Sequence, residues 1–414
     1  MRLQELKGKK ILIAGFGIEG KATEEFLRHY FPKMRIGVAD QKEGADYLEK
    51  QNDYDLAIKS PGIKKELLTI PYTTATNIFF ANCKGKTIGV TGSKGKSTTA
   101  AIIYAIVKAA GIKVHLVGNI GKPMLTELLK TNGQDDMWVC ELSSFQLSDI
   151  EYSPHISVIL NLFPEHMDYH GSTQTYYDAK KRILIGAGST DYFVYNPAVH
   201  ELHELANMTD AKAMPVIDEL PFDEKIIPLL GKHNKDNIRA AVTVAQILKI
   251  DPDIVAKAIK HFKPLPHRLQ LVGTFKGITF YDDAISTAPE STIAAIEALG
   301  NVGTIFLGGQ DRGYNFSKLV DTIIYKKVPT IVLFPDSGEK IRELLEQRLI
   351  LRKGSTLMKI FETTSMEEAV KFAYKHTPKG SICLLSCASP SFSLWGNFEE
   401  KGDLFQKFVR EYGR

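Results

Sequence analysis

Short runs of aliphatic and β-branched residues alternate with amphipathic segments of helical period along almost the whole chain. KKILIAGF is followed by GKATEEFLRHYF and RIGVAD, and TIGVTG by STTAAIIYAIVKAAG and KVHLVG; TIFLGG, TIVLF and SICLLS recur toward the end. Short apolar runs of this kind read as strands covered on both faces, with the periodic segments as the covering helices. The pattern therefore predicts parallel α/β sheets rather than bundles or sandwiches. Polar punctuation divides it near Asn82–Lys86, ahead of the strand TIGV, and near Lys263–His267, where a PLP turn closes a helix that begins around Asp251. Three α/β domains are expected, over 1–83, 84–265 and 266–414.

Composition narrows the class. The 414 residues are 44% apolar and 24% charged, which excludes a disordered, collagenous or disulfide-stapled chain. The excess of basic over acidic residues is only +4, so no nucleic-acid partner is expected. No apolar run approaches the roughly 18 residues of a membrane span, and the N-terminus has no signal-peptide pattern. The four cysteines, Cys83, Cys140, Cys383 and Cys387, show neither a CxxC pair nor zinc spacing. A soluble protein of the reducing cytoplasm, without a membrane partner, is the expectation.

Two glycine-rich turns carry candidate chemistry. Gly15, Gly17 and Gly20 form G-x-G-x-x-G between a strand and a helix, and Asp40 closes the next strand. Such a turn lets backbone approach a diphosphate at a helix N-terminus while the acid accepts a ribose hydroxyl. NAD and a nucleotide-sugar diphosphate satisfy it equally, because the loop reads the diphosphate and not the base beyond it. The second turn, TGSKGKST over 91–98, lies between the strand TIGV and a long helix. Gly-Lys-Ser at a helix start is the working end of a P-loop: backbone amides cradle phosphates, Lys96 reaches the outer ones and the Ser97 hydroxyl ligates Mg²⁺. Val90 stands where the strict pattern has glycine, with Gly92 two residues later. ATP or GTP is the expected ligand, with Gly92, Lys94, Gly95, Lys96, Ser97 and Thr98 as its cradle.

Further motifs follow in order: GNIG (118–121), ELSSFQL (141–147), NLFPEHMDYH (161–170), DAKKRI (178–183), GKHNKDN (231–237), LPHR (265–268), YDD (281–283), LGGQDRG (307–313) and NFEEKGDLF (397–405). With TGSKGKST they resemble the Mur ligases of peptidoglycan synthesis. ELSSFQL, DAKKRI and NFEEKGDLF are similar to the branch that adds glutamate to UDP-N-acetylmuramoyl-L-alanine. The resemblance runs from about Gly15 to Phe405 and implies three domains: N-terminal Rossmann-like, central P-loop ATPase-like and C-terminal Rossmann-like. It implies a monomeric ATP-dependent ligase that forms an acyl phosphate and then an amide.

The same resemblance assigns roles. Gly15, Gly17, Asp40 and Asn119 would hold the UDP substrate. Glu141, at a strand end, and His166 would ligate two Mg²⁺ ions together with Ser97. Lys180 would carry a CO₂-derived carbamate that turns a cation into an oxygen ligand, although from residues alone it reads as part of a solvated helix face beside Lys181 and Arg182. Lys96, His166 and Lys180 are the expected catalytic set. Asn234 and Asn237 would read adenine, and Arg268 and Asp283 would meet ATP. Arg312, Ser391 and Phe398 would hold glutamate. The sequence departs from the family at Glu165, usually aspartate, at Ala284–Ile285, and at Pro390 and Trp395. The segment 186–230 is short, which predicts a trimmed central domain. The alternatives are another Mur-type or a folylpolyglutamate-type ligase, or a nicotinamide-dependent oxidoreductase built on Gly15–Gly20.

Overall fold

The computed structural model describes residues 1–351 and 358–414. It divides into two compact units, Met1–Ile227 with His233–Phe262, and Pro228–Lys232 with Lys263–Arg414. The first unit contains two sheets. One is parallel throughout, in the order β2-β1-β3-β4, with β1 Ile11–Ala14, β2 Ile36–Ala39, β3 Leu56–Lys59 and β4 Tyr72–Thr74. The other is also parallel, in the order β10-β9-β8-β5-β7-β6, with β5 Lys86–Thr91, β6 Val114–Gly118, β7 Met137–Glu141, β8 Ile156–Ile159, β9 Tyr192–Tyr195 and β10 Lys212–Pro215.

A continuous apolar core underlies both sheets. Ile11, Ile13, Phe26 and Phe79 of the first join Trp138 and Cys140 of the second, and the Phe79 and Trp138 rings meet edge to face at 5.3 Å. A buried ion pair fastens them as well. Lys59 Nζ lies 2.8 Å from Asp149 Oδ2, and both side chains are enclosed. Lys59 Nζ also donates to the Ile63 carbonyl at 2.8 Å, and Tyr72 Oη donates to Asp149 Oδ1 at 3.1 Å. The pair is thus surrounded by further hydrogen bonds, as a buried charge requires.

The second unit has one sheet in the order β11-β12-β16-β13-β14-β15, with β11 Gln270–Phe275, β12 Ile278–Asp282, β13 Val302–Gly309, β14 Thr330–Asp336, β15 Lys359–Glu362 and β16 Ile382–Leu385. Side chains alternate across it. Ile305, Leu307, Ile331 and Leu333 enter one core, and Phe306, Val332 and Phe334 the other, which is why the apolar runs here are unbroken. One strand departs from the all-parallel expectation: β11 pairs antiparallel with β12. The turn between them is Lys276–Gly277, with φ values of 51° and 80°. Two central residues with positive φ make the tight hairpin turn whose twist suits antiparallel strands. Among the described residues no helix is long and apolar enough to cross a membrane.

Candidate active site

The second glycine-rich turn joins β5 to helix Lys96–Ala109 at the middle of its sheet. β5 lies between β7 and β8, with Val90 opposite Glu141 and Thr91 opposite Ile159. Three strands therefore deliver their carboxyl ends to one crevice, the place where open α/β sheets bind ligands. Gly95 caps the helix at φ 86°, and a Cβ there would collide with the Asn237 side-chain oxygen. Only glycine meets both conditions.

Neighbouring segments clamp the loop. The Lys94 amide donates to Asn161 Oδ1 at 2.8 Å, and Asn161 Nδ2 donates to the Lys94 carbonyl at 3.0 Å. Buried Ser93 uses its whole hydroxyl: Oγ donates to the Phe163 carbonyl at 2.8 Å, and accepts from the Phe163 amide at 2.8 Å and from Tyr176 Oη at 3.0 Å. Asn161 and Tyr176 were not among the residues singled out by sequence. Their partners lie 67 and 83 residues away, a separation that leaves no local pattern.

Two lysines converge on this loop. Lys96 Nζ folds back to donate to the Gly92 and Ser93 carbonyls at 3.0 and 2.9 Å. Lys180 Nζ donates to the same Gly92 carbonyl at 2.9 Å and lies 4.6 Å from the Tyr176 ring centroid. Tyr176, Ala179 and Lys180 form the buried face of helix Thr173–Lys181. Lys180 is only 1% exposed, so the solvated-face reading of this segment fails for it. Burial, and then the adjacent Lys96 cation, hold its amine well below the ordinary lysine range.

Glu141 closes the other side of the crevice. Its Oε1 accepts from Asn119 Nδ2 at 3.1 Å, while Oε2 is buried without a hydrogen-bond partner. An unmatched buried carboxylate oxygen is costly, and a cation in the crevice would satisfy it. Among the described residues no three His, Cys, Asp or Glu side chains converge as a metal cage. The residues that could face such a cation, the Ser97 hydroxyl, Glu141 and His166, are instead a sparse, mostly oxygen set. Such a set suits Mg²⁺ when phosphate oxygens complete its shell. His166 sits at φ 57°, with its ring 5.0 Å from that of Phe145. Partial desolvation lowers its pKa; Glu165 opposes the shift, and the Lys96 and Lys180 cations add to it. Glu165 itself pairs with Lys94.

Asn237 Nδ2 donates to Asn234 Oδ1 at 3.2 Å, and both residues are buried at the start of helix Lys232–Ile247. The collision geometry at Gly95 places the Asn237 amide directly against the phosphate loop.

The first glycine-rich turn is built differently. Ser60 Oγ donates to the Gly15 carbonyl at 2.8 Å, and Gly15 adopts φ 89°. Asp40 Oδ2 accepts from the Phe16 amide at 2.6 Å and Oδ1 from the Lys42 amide at 3.1 Å. Those two bonds, Phe16 first, pull the Asp40 carboxyl below its ordinary range. Asp40 thus organises the loop's own backbone. A cavity of about 370 Å³ opens beside this turn, lined among others by Glu19, Gly62, Asn119, Phe145 and Gln146.

Arg268, Asp283, Arg312, Ser391 and Phe398 all belong to the second unit. Asp283 is fully enclosed. It accepts from the Leu269 amide at 3.1 Å, Ser286 Oγ at 2.6 Å and Ser386 Oγ at 2.8 Å, and burial lifts its pKa to about 6. Its contacts here are with protein rather than with an open ligand site. His267 Nδ1 lies 2.7 Å from Asp282 Oδ2, a contact that raises the imidazole pKa, and the Phe398 ring stands edge-on to His267 at 6.1 Å. Exposed Arg312 and buried Ser391 lie on adjoining loops, joined by the Gln310 amide donating to the Pro390 carbonyl at 2.9 Å. Ser391 Oγ is buried without a partner, and so is Gln310 Oε1 beside it.

Comparison with known proteins places the family and the fold. Residues 90–219 match the Mur ligase middle domain, and residues 267–388 the Mur ligase glutamate ligase domain. A UDP-N-acetylmuramoyl-L-alanine–L-glutamate ligase of Salinispora tropica is 31% identical, covering 99% of both chains. A UDP-N-acetylmuramoylalanine–D-glutamate ligase of Acetivibrio thermocellus is 30% identical, covering 98% of this chain and 97% of that one. Among solved structures, the MurF ligase of Thermotoga maritima in complex with ADP superposes with a TM-score of 0.65 at 16% identity, covering 97% of this chain and 95% of that one.

Proposed function

The chain belongs to the Mur ligase family, and we propose that it joins glutamate to UDP-N-acetylmuramoyl-L-alanine with consumption of ATP, in the synthesis of peptidoglycan precursors. The observation that carries this reading is the meeting of Lys96 and Lys180 on one P-loop carbonyl, across from the unmatched oxygen of Glu141. Phosphoryl transfer needs positioned charge more than covalent help, and this crevice supplies it.

In the reaction, the alanyl carboxylate of the UDP substrate attacks the γ-phosphorus of ATP, giving an acyl phosphate and ADP. The amine of glutamate then attacks the acyl carbon, and phosphate leaves from the tetrahedral intermediate. Lys96, now resting on loop carbonyls, turns to the outer phosphates, while Gly92–Thr98 cradle them and Asn234 and Asn237 read the adenine edge. Mg²⁺ bound at Ser97, Glu141 and His166 would neutralise phosphate charge. Lys180, whose burial favours the neutral amine, would add its nitrogen to the carbon of CO₂ and release one proton to water, and the resulting carbamate would supply oxygen ligands. In the second unit Arg312, Ser391 and Phe398 hold glutamate, with Arg312 offering a bidentate contact to a carboxylate. Enclosed Asp283 acts on ATP indirectly, by fixing the Leu269 amide next to Arg268. The domain division 1–83, 84–265 and 266–414, a monomeric state and a cytoplasmic location complete the proposal.

D-glutamate is the proposed enantiomer, as named for the Acetivibrio relative. The test is phosphate release with ATP, UDP-N-acetylmuramoyl-L-alanine and a panel of D- and L-amino acids. Release should require both the UDP substrate and glutamate. Turnover with alanine, lysine or diaminopimelate equal to that with glutamate would overturn the assignment, and faster turnover with L-glutamate would reverse the enantiomer.

A further inference from the structure

The cavity beside the first glycine-rich turn holds an acid that the reaction scheme leaves idle. Glu19 occupies the second position of helix Ile18–Tyr30, lines the cavity, and has a buried Oε1 with no hydrogen-bond partner. An ionised carboxylate there would occupy the end of the helix where a diphosphate would bind, and would repel it. The charge facing Glu19 is Lys59, which is already committed to Asp149 and to the Ile63 carbonyl. On the adjacent helix Met124–Lys130, Glu127 is engaged by Lys122 and Lys130. The remaining neighbour is neutral: Gln146, whose Oε1 accepts from the Ser143 amide at 3.0 Å and whose side chain acts on the Glu19 carboxyl against the effect of burial.

We infer that Glu19 meets the UDP substrate as a protonated carboxyl, donating a hydrogen bond to a substrate oxygen, so that its ionisation closes the site. This rests on the UDP-substrate reading above. Burial supports it independently, since desolvation raises the Glu19 pKa to about 7 against the opposing effects of Gln146 and Lys59. The sign is fixed by linkage. Binding that selects the protonated form is at full strength below the pKa of the free protein and is lost as pH rises through it. The substrate's diphosphate diester and carboxylate do not titrate in that range. Glu19 is therefore a specificity residue that makes occupancy of the site depend on pH.

Calorimetric titration of the full-length protein with UDP-N-acetylmuramoyl-L-alanine, from pH 6 to 8.5, tests this. The wild-type Kd should be flat below about pH 7 and rise about tenfold per pH unit well above it. At pH 8, binding in buffers of different ionisation enthalpy should take up close to one proton. Glu19→Gln, which keeps the shape and the donor, should bind with a Kd independent of pH and with no proton uptake. A flat wild-type profile, or an unchanged pH dependence in Glu19→Gln, would overturn the inference and leave the substrate reading intact. Failure of both proteins to bind at every pH would overturn the substrate reading and the inference together.

Discussion

The two glycine-rich turns of the first unit are nearly the same backbone device in different electrostatic settings. Each follows a strand with parallel neighbours on both sides, and each opens a helix. Around the Gly92–Gly95 loop stand Lys94, Lys96 and Lys180, with Glu141 opposite. Around the Gly15 loop, Asp40 serves its own backbone, Lys59 is consumed by Asp149, and Glu19 is desolvated. The second turn is furnished to move a phosphoryl group; in the proposed function the first would hold a diphosphate without reacting with it. Glycines license the approach of an anion; the charges around them decide what happens to it.

Breaking the catalytic side of that contrast should give the largest effect. Lys180→Ala should lower kcat by at least about 100-fold, with partial recovery on adding acetate, while Lys181→Ala stays near wild type. Wild-type turnover of Lys180→Ala in bicarbonate buffer would remove Lys180 from the mechanism. A glycine pair sharpens the comparison at the level of backbone. Gly95→Val forces a branched side chain into a left-handed position and against Asn237, and should raise the KM for ATP at least about tenfold. Gly17 has φ −73° and open space where a Cβ would sit, so Gly17→Val should fold normally. It should raise the KM for the UDP substrate several-fold and spare ATP; a change in ATP affinity alone would mean that the two loops have been interchanged in this reading. The smallest effect belongs to Asp40. Its folded pKa is depressed, so its contribution to stability is present above the unfolded value near 4 and fades as pH falls through the folded one. Urea unfolding of Asp40→Asn should show a loss below about 1 kcal/mol at pH 7, vanishing under acid conditions.

The alternating strand and helix pattern was sufficient for the parallel sheets, because strands such as β13 are covered on both faces and so read as unbroken apolar runs. The P-loop was legible because its work is done by consecutive residues. Other features had no linear signature. The burial of Lys180 depends on its helix turning Tyr176 and Ala179 inward with it, while the neighbouring Lys181 and Arg182 suggest a wet face. Asp283 has the look of a ligand-binding strand-end acid, yet one of its partners, Ser386, is 103 residues away. Glu19 reads as an ordinary helix-start acid until the cavity and Gln146 enclose it. The antiparallel β11 was signalled only by Lys276–Gly277, a weaker turn signal than Asn-Gly.

The enclosed pair of Lys59 and Asp149 also bears on how genes of this family can be recombined. An exchange that joined this first sheet to a second sheet without Asp149, or this second sheet to a first without Lys59, would inherit half of an ion pair. Removing one partner of such a pair costs about 3–5 kcal/mol, a large share of the stability of a whole domain. The junction near residue 83 looks from the sequence like a natural seam, but it runs between two halves of a lock. Any viable hybrid must carry Lys59 and Asp149 as a matched set, along with the Tyr72 and Asn77 side chains that bond to Asp149.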